Sequence, residues 1–195
     1  MMMVELSSVA SASLPVAELT EHLRLSSGFA DDGSQDVILE GHLRAALSAI
    51  EARIGKAIYR RQFLWRLSHW HSSSEQALPI APVQQIDSIR VISVNGTETL
   101  VPVESYGLRR DDHRPAVVSV GRSLPNPTHN GSLEIEMEAG FAIDWHGVPA
   151  DLRQAVLLQA AAFYEGTDLE TGGVPCGVSL LIEPYRSVRL RGVSQ

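Results

Sequence analysis

The chain has 195 residues, 44% of them hydrophobic, enough to bury one sizeable core or one core with a smaller inserted subdomain. Sixteen basic residues against twenty-three acidic ones leave a net charge of −7, which argues against tight general binding of nucleic acid, because such binding draws on phosphate neutralisation. The single cysteine, Cys176, cannot close an internal disulfide, and no stretch is apolar for long enough to span a membrane.

The opening, MMMVELSSVASASLP, has no basic leader, carries Glu5 early and lacks a long apolar run, so it does not read as a secretory signal. The expected location is the cytoplasm, or an assembly built there. LPVAELTEHLRL reads as a short helix with Pro15 at its first position and Val16, Leu19 and Leu23 on one face. SSGFADDGSQD breaks it and reads as a polar turn leading to a cap. A second helix is predicted from about Ser34 or Asp36 to Ile54, where Leu39, Leu43, Ala46, Leu47, Ile50 and Ile54 recur three or four apart and Gly55 stands at the C-terminal cap. Lys56 is the only lysine; the preference for arginine fits base composition as well as packed interfaces.

From Ile58 the period becomes twofold. YRRQFLWRLSHW puts Tyr59, Arg61, Phe63, Trp65 and Leu67 on one side of a strand. Ile86 to Val94 is strand-like, Asn95-Gly96 is a hairpin turn, and Thr97 to Val101 returns. SYGLRRDDHRPAVVSVG gives a second hairpin with Asp111, Asp112 and His113 at its tip. SLEIEMEAG sends Leu133, Ile135, Met137 and Ala139 inward and Glu134, Glu136 and Glu138 outward, as on a solvated face. A third helix starts at Pro149 with Asp151 in its first turn. It carries Leu152, Val156, Gln159 and Phe163 in one stripe and ends at Gly166.

The resulting fold class is α+β: a helical bundle of two N-terminal helices and a long C-terminal helix, an inserted small antiparallel β subdomain, and a C-terminal arm. The expected divisions are 1–57 for the N-terminal helices, 58–140 for the β insertion, 141–166 for a loop and the helix that completes the bundle, and 167–195 for a linker and docking arm.

Chemistry has few footholds. Asp144, Trp145 and His146 form a loop of ordinary length between a strand and a helix. His69 and His71 share a face if their strand continues, but a zinc site needs a third and fourth ligand. DDGSQD lacks the pattern of a calcium loop, and there is no phosphate loop or nucleophile elbow. No cofactor or catalytic residue is expected. The tail differs: after TDLETGGVPCG comes VSLLIEPYRSVRLRGVSQ, in which Val178, Leu181, Ile182 and Tyr185 precede Arg186, Arg189 and Arg191. This segment either folds back on the protein's own helices or docks on a partner.

The order of parts, from LPVAELTEHLRL through IEARIGKAIYRRQFLWRL, LPIAPVQQIDSIRV and EIEMEAGFA to EPYR, resembles the head-tail connector, or adaptor, proteins of long-tailed bacteriophages and gene transfer agents. The resemblance implies a non-enzymatic structural protein of a virion or virus-like particle neck, assembled in the bacterial cytoplasm. It implies a homo-oligomeric, dodecameric ring between the portal protein and a stopper or tail-side connector, with DNA passing through non-specifically and no membrane contact. The helices would form the wall and the arm would reach the portal. The portal-binding residues implied are Val178, Leu181, Ile182, Tyr185, Arg186, Arg189 and Arg191. An acidic wall would let DNA slide without sticking. Truncation after Gly177 is expected to abolish attachment and leave the fold intact. The rival expectation is a metal-binding protein or hydrolytic enzyme using His69, His71 and the Asp144 to His146 loop.

Overall fold

A computed structural model describes residues 2–25, 34–127, 130–166 and 174–186. Contacts divide the chain into two compact units. One takes the described residues of 1–9 and 56–147, the other those of 10–55 and 148–195. The fold is mixed α and β, with four α-helices among the described residues and only antiparallel strand pairs in its sheets.

The first unit contains eight strands: β1 (Met2–Glu5), β2 (Arg61–Leu67), β3 (Glu75–Ala77), β4 (Val83–Ile92), β5 (Glu98–Leu100), β6 (Tyr106–Arg109), β7 (Ala116–Ser119) and β8 (Ser132–Ala139). Five form a sheet in the order β1-β2-β8-β4-β5, and three form another in the order β3-β7-β6. The sequence marks both hairpins, but β1 is a finding of the structure: the chain's first residues pair with β2, from Met2 opposite Arg66 to Glu5 opposite Phe63. The central strand β8 shows why the alternation matters. Leu133, Ile135, Met137 and Ala139 are fully buried, in one core with Phe63, Trp65, Ile89 and Val117 that draws on both sheets.

The other face of β8 is not the solvated row its glutamates suggest. Glu134 lies opposite Arg66 on β2 and Arg90 on β4, and is only 5% exposed. The Arg66 guanidinium is bonded to its carboxylate, while Arg90 lies 4.0 Å from Glu134 and 3.0 Å from Glu136. Two cations on neighbouring strands thus screen a buried carboxylate. A charge pattern that reads as hydration is a cross-strand ion-pair ladder. Gly140 ends β8 at φ +133°, and a Cβ there would sit 2.2 Å from the Tyr59 carbonyl oxygen, so only glycine permits that approach.

Lys56 opens this unit buried, its ammonium donating to the Asp112 carbonyl at the β6–β7 hairpin tip. Burial pulls its pKa below the ordinary lysine range, and Asp112 and Asp111 partly offset that. Asp111 itself accepts the N–H groups of His113 and Arg114, both at 2.7 Å, which closes the tip.

The second unit holds α1 (Val16–His22), α2 (Ser34–Ile54), α3 (Ala150–Glu165) and α4 (Cys176–Ile182). Leu39, Leu43, Ala46, Leu47, Ile50 and Ile54 of α2 are all buried, as their spacing predicts, and α2 packs on α3. Gly55 and Gly166 follow α2 and α3 in the left-handed conformation, at φ +68° and +70°, that lets each helix end sharply. Gln159 is buried in α3 with its side-chain oxygen unpartnered. The SSGFADDGSQD break lies, up to residue 33, outside the described residues, as does the TDLETGG linker.

Candidate functional site

The Asp144 to His146 loop is a structural bend. Asp144 Oδ1 accepts the Gly147 N–H at 2.9 Å, which fixes a single 3-10 turn over Trp145–Gly147. Trp145 turns into the core and stacks on Tyr59, with ring centroids 6.3 Å apart, while His146 stays exposed. The strand carrying Leu67 does not continue to His69 and His71. Both are exposed on either side of buried Trp70, whose indole N–H donates to the Pro125 carbonyl at 2.8 Å. Among the described residues no three His, Cys, Asp or Glu side chains are placed to hold a metal ion. The metal expectation therefore finds no ligand set among the described residues. No helix among the described residues is long and apolar enough to cross a membrane.

The arm is where the structure adds most. Pro175 precedes α4, and Glu183–Tyr185 continues it as one 3-10 turn. The segment folds onto α3 of its own unit. Val178 and Ile182, one helical turn apart, are fully buried there, and Leu181 is half-buried. Tyr185 is half-buried too, its hydroxyl 2.7 Å from Asp151 Oδ1 and 2.9 Å from Oδ2 at the start of α3. Burial, and next the Asp151 hydrogen bond and charge, push its phenol up to about 12.

On the outer side Leu180 is 75% exposed, and Arg186 is exposed with its guanidinium 3.0 Å from Glu183. Arg189 and Arg191 lie outside the described residues. Of the residues expected to meet a partner, Val178 and Ile182 instead hold the arm to its own helix. A truncation after Gly177 would strip that cover from α3, so it is not the clean cut the sequence promised. Leu180 lies two residues from both Val178 and Ile182, which puts it on the opposite, exposed side of the helix.

No protein-family model matches the chain, and no curated protein does. Solved structures do. The neck of an empty gene transfer agent particle, computed with C6 symmetry, contains a chain 43% identical to this one, with a TM-score of 0.90 over 98% of both chains. The chain belongs to the head-tail connector, or adaptor, family. The connector also matches a chain of the virion of a native gene transfer agent particle at 42% identity and TM-score 0.88, and one of the neck of a native particle, computed with C12 symmetry, at 38% and 0.86. Each match again covers 98% of both chains. At this coverage the likeness runs along nearly the whole sequence.

Proposed function

We propose that the chain is the structural adaptor of a gene transfer agent or tailed-phage neck, a ring subunit between the portal protein and the stopper or tail-side connector. The observation that carries this reading is the likeness to neck chains at 38–43% identity along 98% of the sequence. In it the protein works by shape and surface and catalyses nothing. The helical unit forms the ring wall, as a bundle completed by neighbouring copies, and the net charge of −7 keeps passing DNA from adhering.

The arm then has two sides with separate duties. Val178 and Ile182 anchor it to α3; Leu180, the exposed part of Leu181, Tyr185 and Arg186 face the portal, with Arg189 and Arg191 beyond as charged support. Each subunit contributes one arm, so weak single contacts add up around the ring. Electron microscopy of necks from particles made with and without this chain tests the reading. Density for a ring of this fold beneath the portal, lost with the chain, is the expected result. Complete necks in particles lacking the chain would refute it.

A further inference from the structure

Among the described residues the five-stranded sheet ends in two edges that pair with no further strand, β1 and β5. We propose that these edges are the two halves of one contact between copies of this chain, β1 of one subunit adding to β5 of the next so that the sheet continues from subunit to subunit. The proposal rests on the ring reading above and says where the ring is joined.

A ring of three or more copies needs a heterologous contact, two different patches on each copy that fit one another. The related necks were computed with C6 and C12 symmetry. The backbone supplies such a pair of patches. Leu6 N–H donates to the Gln62 carbonyl at 2.8 Å, and antiparallel pairing alternates, so Val4 and Met2 direct their main-chain groups to β2 while Met3 and Glu5 direct theirs away. On the far edge, Ser93 N–H bonds the Thr97 carbonyl at 3.0 Å and Val101 N–H bonds that of Ile89 at 2.9 Å. By the same alternation Thr99 faces β4, and Glu98 and Leu100 point outward.

The β1 edge is also apolar where a lone sheet would be guarded, and β5 adds exposed Leu100 beside the charge of Glu98. Met2, Met3, Val4 and Leu6 are 53, 42, 37 and 50% exposed, and Leu100 and Val103 are 64 and 70% exposed. Free edges are usually blunted by charge or proline; β1 has only Glu5, and its carboxylate is 2.9 Å from Arg61 of its own sheet. Direction fits as well. Every neighbouring pair from β1 to β5 is antiparallel, so β1 and β5 run the same way, and a copy related by a small rotation presents β1 parallel to the preceding β5.

The test replaces outward N–H groups without touching those that hold the sheet. Met3→Pro and Leu100→Pro each remove one such donor. Each variant is expected to give the melting curve of the unchanged chain and to be lost from necks assembled in cells that supply it as the only copy. Met3→Lys serves as a second block on β1 if proline disturbs the strand. Necks with full rings from folded variants at both edges would overturn the proposal and leave the ring reading standing. An unchanged chain that enters no ring would overturn both.

Discussion

The Tyr185 hydroxyl spans both oxygens of the Asp151 carboxylate, at 2.7 and 2.9 Å, and so ties the end of the arm to the first turn of α3. Tyr185→Phe removes the donor and leaves the carboxylate half-covered without it. A hydrogen bond to a charged group at a partly exposed site contributes about 1–2 kcal/mol. Denaturant unfolding should show a loss of that size, and amide exchange in α4 should quicken more than exchange in α2.

The same pair sets a response to alkali. The folded protein holds the phenol neutral up to about 12, whereas an unfolded chain ionises its tyrosines near the ordinary value of about 10. Because the folded pKa is the higher one, this contribution to stability is complete below the ordinary value and disappears as pH rises through about 12. Tyrosinate absorbance should therefore show a late step in the folded chain. In Asp151→Ala that step should move down, because the hydrogen bond and the charge are gone, though burial still holds it above the ordinary range.

Inner and outer sides of α4 should separate in mutation. Ile182→Ala opens a cavity against α3 and should cost about 2–5 kcal/mol. Leu180→Asp changes a side chain that is 75% exposed and should leave thermal unfolding within about 0.5 kcal/mol of the original. Neck incorporation should nonetheless fall with Leu180→Asp. A Leu180→Asp chain that assembles normally would remove this face from the docking surface.

The arginines flanking Glu134 should be coupled. Arg66→Ala leaves Arg90 4.0 Å from the buried carboxylate, and Arg90→Ala leaves the Arg66 pair intact, so each alone should cost about 1 kcal/mol. With both replaced, the charge of Glu134 has neither cation, and the double variant should exceed the sum by about 1 kcal/mol or more. Additive losses in a double-mutant cycle would mean that solvent reaches Glu134.

Much of the fold was legible where the signal is local. The three- and four-residue spacing from Leu39 to Ile54, the glycines after α2 and α3, the Asn95-Gly96 turn and the alternation of β8 each state their structure within a few neighbours. What was hidden depends on residues far along the chain. Met2–Glu5 is too short to announce a strand, and becomes one only because β2 offers an edge. The glutamates of β8 alternate identically whether water or arginine faces them, and only the register with Arg66 and Arg90 decides. In the arm the signal was present: Val178, Leu181, Ile182 and Tyr185 already trace one helical stripe, the mark of a segment with a surface of its own to cover.

Sealing Lys56 under the Asp112 carbonyl leaves the polypeptide without an accessible side-chain amine. Reagents that attack lysine, from acetyl donors to the usual amine-coupling tethers, find no side-chain foothold on it. Covalent capture of its neighbours in the particle falls to chemistry aimed at carboxylates, guanidinium groups or the exposed thiol of Cys176.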